Sequence, residues 1–344
     1  MLDYLRELCL FDGISGREKN VRDYIYEKAS ALINSDTDSI TTDPMGNLIV
    51  FKKGRKAPEN KVMLSAHMDE VGFIVTYICD NGFLKFTNVG GVDSKVVCGR
   101  AVSVGENSVN GIIGQKAMHL CKGDEGATCK EISSLYIDIG ADSKEEAEKL
   151  VSIGDSVHFK SDYVEFGNGK IKAKAIDDRF GCAVMLKMLE SELEYDTYFA
   201  FLVQEEVGCR GAGAAVFGIR PDYAIVLEAT TASDIAFVND EDAVCHQGKG
   251  AVVSFMDRST VYDIELFKGA FSLAKDKNIK IQPKTTVAGG NDAGTIHKSC
   301  EGVRTIAISL PCRYIHSGTC VADKSDMNAC YDLANALCEV YANA

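Results

Sequence analysis

The chain has 344 residues, 46% hydrophobic and 25% charged, with a net charge of -13. That profile belongs to a folded protein large enough for two domains. The charge argues against nucleic acid and anionic lipid as partners, because an acidic surface repels both. No stretch approaches the roughly 20 consecutive apolar residues of a membrane span, and Met1 to Phe11 mixes Asp3, Arg6 and Glu7 among its apolar residues, unlike a signal peptide. A cytoplasmic location is expected. The thirteen cysteines are dispersed and form no close CxxC pair, which predicts reduced, mostly buried thiols. Cys209 and Cys312 stand nearest the candidate site residues.

In chain order, Leu2, Leu5, Leu8 and Cys9 follow helical spacing, and Ser15-Gly16-Arg17-Glu18 has the pattern of a capping box opening a second helix that runs to about Ile33. Asn47 to Phe51 and Val62 to Ala66 read as strands, the second apolar enough to be central, and it runs out into His67-Met68-Asp69-Glu70. From 71 to 160 the segments become short and alternating, with turn residues such as Asp80-Asn81-Gly82 and Asn110-Gly111 between them. This predicts a small β-rich module inserted into a larger domain made of 1–70 and 161–344.

The larger pattern resumes near Ile171 and passes Asp177, placed to cap an amphipathic helix over Phe180 to Leu193. Strands at Tyr198 to Val203, Tyr223 to Leu227 and Thr305 to Ser309, a helix at Val261 to Lys277 and a closing helix at Ser325 to Tyr341 continue in βαβ fashion. The fold class expected is α/β, a mixed, mostly parallel sheet flanked by helices.

Chemistry collects where the apolar strands end: His67 and Asp69, the pair Glu205 and Glu206, Glu228, and His316, with Asp177 joining from a helix start. In open α/β sheets that edge is where ligands bind. Singly, each has an ordinary explanation: a structural histidine, a solvated strand end, a helix cap. Their joint recurrence does not. Two histidines and several carboxylates suit zinc, with cobalt or manganese chemically admissible. Five ligands can hold two ions if one carboxylate bridges and a water or hydroxide fills the open position. Adjacent side chains at a strand end point apart, so one of Glu205 and Glu206 is expected to bind metal and the other to act as general base. Asp69 can reach the second nitrogen of His67 and fix its tautomer. Arg313 could bind a substrate carboxylate or form an ordinary salt bridge, and His119, His158, His246 and His297 have no comparable neighbours.

The segments Ser65 to Gly72, Lys174 to Arg179, Gln204 to Ala212 and Arg313 to Ser317 resemble the signatures of the TET-type dinuclear metallo-aminopeptidases, peptidase clan MH, family forty-two, also labelled glutamyl aminopeptidase, cellulase M or endoglucanase M. The resemblance implies Asp177 as the bridging ligand, Glu206 and His316 completing one metal site, His67 and Glu228 the other, and Glu205 as the base with Asp69 in support. It implies an inserted β-rich, PDZ-like dimerisation domain, two divalent ions per chain, short peptide substrates, and assembly into dimers or tetrahedral dodecamers. Glu228 departs from the family's more usual aspartate, and Asn291 stands where a related loop, Gly289 to Gly294, has threonine.

The function expected is hydrolysis of the N-terminal residue from short peptides by attack of a metal-bridging hydroxide. A metal-dependent deacylase or amidohydrolase on N-acyl amino acids and a non-catalytic metal-stabilised assembly are the alternatives. Glucan cleavage is discounted, since glycosidases use two carboxylates across the sugar bond and need no such metal set.

Overall fold

The structure is a computed structural model that describes residues 1–121 and 131–344. Its N-terminal part comprises α1 (Leu2–Leu8), α2 (Lys19–Leu32), β1 (Ser39–Thr42), β2 (Leu48–Lys52) and β3 (Val62–His67). A second group is formed by β4 (Gly72–Ile78), β5 (Leu84–Val89), β6 (Ala101–Val104), β7 (Val109–Gly114), β8 (Tyr136–Asp138), α3 (Lys144–Ala147) and β9 (Ser156–Phe159). Then come β10 (Val164–Phe166), β11 (Lys170–Ala173), α4 (Ile176–Leu189), β12 (Thr197–Leu202), α5 (Ala212–Ile219) and β13 (Tyr223–Thr231). The chain ends with β14 (Ala251–Val253), α6 (Ile264–Asp276), β15 (Ile281–Pro283), α7 (Ala293–Ile296), β16 (Arg304–Arg313), β17 (Cys320–Asp323) and α8 (Lys324–Ala342).

The main sheet runs β1-β2-β12-β3-β13-β16-β17-β11-β10. Its centre is parallel, with β12 and β13 on the two sides of β3 and β16 beyond β13, while its flanks are antiparallel. Every residue of β3 is buried, as a strand covered on both faces requires. Alternation divides it between two cores. Leu64 and Ala66 join α1, α2, α4, α6 and α8 on one face. Met63 joins Ala212, Ala215 and Val216 of α5 and Ile296 of α7 on the other. Ala212 and Ala215 present only methyl groups to the sheet, which lets α5 lie close to it. Among the described residues no helix is long and apolar enough to cross a membrane.

The strands β4-β5-β8-β7-β6-β9 close into a barrel with a core of its own built from Phe73, Val102, Ile113, Ile137 and Val157. Residues 122–130, within the stretch read as an insertion, lie outside the described residues. In the same stretch α3 is capped by Ser143, whose Oγ accepts the Glu146 amide. Two local expectations change. The helix read over Phe180 to Leu193 starts and ends earlier, as α4. The capping box does not form: α2 starts after Glu18 with no side-chain cap. Long-range partners win both residues. Ser15 Oγ donates to Asp69 at 2.6 Å, and Glu18 Oε1 accepts the amides of Gly16 and Gln204.

Candidate metal centre

The register of the sheet brings the candidate residues to one edge. His67 pairs with Leu202 at the common end of β3 and β12, so the turn after β12 carries Glu205 and Glu206 directly past it. Glu228 lies within β13, opposite Ser309 of β16. That turn after β12 is tightly held. Asn47 accepts the Val203 amide and donates to Gly211 O, each at 2.9 Å. A Cβ on Gly211 would come within 2.5 Å of Val203 O, so only glycine fits there. Gln204 and Cys209 take left-handed φ values of 58° and 53°, as do Ala175 before Asp177 and His316 itself. Such backbone costs of order 1–3 kcal/mol per residue and gathers at functional sites.

Asp177 sits between the two histidines. Its Oδ1 lies 3.4 Å from His67 Nε2 and its Oδ2 3.2 Å from His316 Nε2. Glu206 lies 3.4 Å from His316 Nε2; Glu228 and Glu205 lie 3.8 and 4.0 Å from His67 Nε2. Both rings are turned by their other nitrogens. His67 Nδ1 meets the main-chain oxygen of Asp69 at 3.0 Å, and His316 Nδ1 meets the carbonyl of Gly91 at 2.8 Å. A carbonyl only accepts, so each Nδ1 carries the proton and each Nε2 is the free ligand atom.

The Asp69 carboxylate reaches His67 and also has a second set of partners. Its nearest approach to His67 Nδ1 is 3.5 Å, longer than the main-chain contact. It accepts the amides of Glu205 and Glu206 at 3.0 and 3.1 Å as well as the Ser15 hydroxyl. Asp69 therefore holds the adjacent carboxylates in place through their backbone.

The electrostatics describe buried carboxyls crowded against two imidazoles. Burial pushes the carboxyls of Glu206 and Glu228 well above their ordinary range, with neighbouring carboxylates adding to the effect. Glu205 is raised for the same reasons. Burial opposes charge on the histidines, yet Asp177 holds His67 well above its usual value, and Asp177 with Glu206 raises His316 to about 10. Asp177 Oδ1 and Glu228 Oε1 are buried with no hydrogen-bond partner. Orphaned buried oxygens, that of Asp177 facing His67 Nε2, fit divalent cations, and nitrogen with carboxylate is the donor set of zinc and its neighbours. His67, Asp177 and Glu206 offer ligand atoms within 4.8 Å of one another; so do His67, Asp178 and Glu228. These clusters could hold two metal ions.

Two carboxylates at this edge escape the sequence reading. Asp178 is fully buried, its Oδ1 accepting the Gly181 amide and its Oδ2 unpartnered. Asp292 is also buried, with neither oxygen bonded. Both lie inside recognised segments, Asp177-Asp178 and Asn291-Asp292, so adjacency to a motif is the available signal. Arg313 proves to be an ordinary ion pair, bidentate to Asp234 at 2.8 Å. His158 lies instead against Glu70, and His297 bonds the carbonyl of Ala293.

A cavity of about 430 Å³ opens over this edge, floored by Asp177, Glu205, Glu206, Glu228 and His316 and walled by Thr230, Val244, Lys284 and the loop 288–291. A two-sided α/β sheet with a histidine and carboxylate cluster opening into a cavity at its strand ends defines a metallohydrolase. Comparison with known proteins narrows the class: the chain belongs to the M42 glutamyl aminopeptidase family, whose family model matches residues 46–333. It is a metal-dependent aminopeptidase. A protein of Acetivibrio thermocellus provisionally named an aminopeptidase is 40% identical over 341 residues, 98% of each chain. The solved aminopeptidase of Desulfurococcus kamchatkensis is 34% identical, with a TM-score of 0.91 over 97% of this chain and 93% of its own. The Pyrococcus horikoshii TET1 peptidase, described as assembling into a tetrahedron or a large octahedral shell, is 32% identical, with a TM-score of 0.85 over 98% of both chains.

Proposed function

We propose that the chain removes the N-terminal residue of short peptides at a centre where Asp177 bridges two divalent ions, zinc in the first instance, one completed by Glu206 and His316 and the other by His67 and Glu228. The observation that carries this reading is Asp177, one oxygen facing each histidine. Bound there, the ions supply Lewis-acid polarisation of the scissile carbonyl and a more acidic water. The residues do the rest. Glu205, not needed as a ligand and raised by burial, takes the proton from the attacking water and returns it to the leaving amine. Asp69 keeps Glu205 and Glu206 apart in these two tasks by binding both amides. The Gly91 carbonyl, beyond β5, orients His316. The segment 71–160 is read as a dimerisation domain that also lends the site this acceptor. Assembly into closed homo-oligomers follows the TET1 peptidase, and the described cysteines, all free, suit a reducing cytoplasm.

Lys284 supports a preference for an acidic N-terminal residue. Among the described residues it is the one lysine or arginine lining the cavity, and it is buried with its Nζ donating to Ala288 O at 2.8 Å. Two of its three donors remain for a substrate carboxylate. The test is a panel of glutamyl, leucyl and lysyl chromogenic amides with N-acetylated counterparts. Cleavage of free-amine substrates alone supports the aminopeptidase centre; cleavage of the acetylated set alone contradicts it. Lys284→Ala should lower kcat/KM for the glutamyl amide by roughly 30-fold or more while sparing the leucyl amide, as truncating one partner of a buried charge pair does. Equal losses on both would remove Lys284 from substrate selection.

A further inference from the structure

Two projections flank the cavity mouth, and their chemistry is complementary. The first is the loop 232–243. Thr231 and Val244, just outside its two ends, line the cavity, but no residue of the loop itself does. Its apolar side chains Ile235, Phe237 and Val238 are exposed, Phe237 completely. Asp240, Glu241 and Asp242 come next, and none of the three forms an ion pair among the described residues. The loop is nonetheless firmly anchored. Asp234 is clamped by Arg313 and accepts the Gln247 amide at 3.0 Å, and Thr285 donates to the Ala243 carbonyl at 2.8 Å.

The second is the hairpin 255–262, closed by the bridge between Met256 and Val261 and by the Asp257 amide donating to Thr260 O. Its turn borders the cavity through Ser259, next to Arg258. Phe255, Met256, Val261 and the neighbouring Ile264 are exposed, Val261 by 73%. Arg258 at the tip is exposed; its amide donates to Gly289 O at 2.9 Å, and its guanidinium forms no ion pair among the described residues. One projection is therefore apolar and acidic, the other apolar and basic. Side chains of this kind, clustered on stiff loops, are the composition of a contact and not of a solvated surface.

We propose that the loop 232–243 of one copy docks on the hairpin 255–262 of a second copy, Phe237 entering the apolar surface around Val261 and the acids 240–242 meeting Arg258. The two surfaces differ, so the contact is head to tail, and repetition closes it into a ring or continues it. It rests on the homo-oligomer reading above and adds the residues that make the joint. Because the loop begins and ends at the cavity and the hairpin turn borders it, each active-site mouth is bordered by its neighbour. The substrate then enters between subunits.

Sedimentation velocity on the full chain tests this with Phe237→Glu, Arg258→Glu, the triple change Asp240→Lys, Glu241→Lys and Asp242→Lys, and the triple combined with Arg258→Glu. Far-UV dichroism checks that each variant is folded. The wild type should sediment as a large closed assembly. Phe237→Glu, Arg258→Glu and the triple change should each reduce it to a small species, and the combined charge swap should restore the wild-type mass. A wild type no larger than a dimer overturns the homo-oligomer reading and this contact with it. A large wild type whose mass survives both Phe237→Glu and Arg258→Glu overturns the contact alone, as does failure of the combined charge swap to restore a mass that the single changes have lost.

Discussion

Glu205→Gln is expected to lower kcat by about 10²- to 10⁴-fold, the range supplied by a positioned general base, while the metal content of the protein stays at its wild-type value. The expectation comes from the division of labour in the turn after β12. Glu206 approaches His316 at 3.4 Å, whereas Glu205 stands 4.0 Å from His67 and receives a thiol contact from Cys209 at 3.5 Å. Glutamine keeps the size and the Cys209 contact but cannot accept a proton. The backbone is held independently of the side chain, since Asp69 binds the amide, so the variant should fold and load metal normally. Retained turnover would remove Glu205 from the reaction. Lost turnover with lost metal would make it a ligand.

A second large effect is expected at Glu70. This buried carboxylate lies 2.6 Å from Lys174 Nζ and 3.5 Å from the fully buried Arg179, and it accepts the Gly13 amide at 3.0 Å. Arg179 in turn donates to the carbonyls of Leu8 and Met68. The network ties the N-terminal segment, the exit of β3 and the start of α4 together beneath the metal centre. Glu70→Gln leaves two buried cations short of their counter-charge, which costs about 3–5 kcal/mol and lowers Tm by on the order of 10 °C. The difference depends on pH in a definite direction. Burial opposes ionisation of Glu70, but Lys174 foremost holds its carboxyl below the usual glutamate range. A group with a depressed folded pKa stabilises fully above its unfolded value, about 4.3, and loses that contribution as pH falls toward the folded value. Melting curves of the two proteins should thus be far apart at pH 7 and converge on acidification below about pH 4. A constant gap, or none at neutral pH, would contradict the role given to this network.

The parts of the site that are legible in the sequence share one property: they follow buried apolar runs. Period and apolarity locate β3, β12, β13 and β16, and the residues at the far end of each apolar run face the crevice, so His67, Glu205, Glu206, Glu228 and His316 are recognisable from residue order alone. Asp177 is readable as a helix start, though it does not cap α4, whose N-cap is Ala175 in a left-handed conformation. The illegible part is long-range. Ser15 and Glu18 match a local capping pattern, but Ser15 is spent on Asp69, 54 residues away, and Glu18 accepts the amide of Gln204, 186 residues away. The acceptor for His316 is a main-chain oxygen 225 residues distant, with no side chain to advertise it. Lys284 comes just after the short strand β15 and carries no motif; only the closure of the cavity places it there.

Asp177 as the shared ligand of two ions is the central claim, and metal stoichiometry tests it most directly. Protein stripped with chelator, reloaded with zinc and desalted is measured by plasma mass spectrometry beside Asp177→Asn treated in the same way. Two ions per wild-type chain are expected, and one or none in Asp177→Asn, because loss of the bridge weakens both positions. A wild type that retains a single ion, or an Asp177→Asn variant that keeps two, would contradict the bridging role.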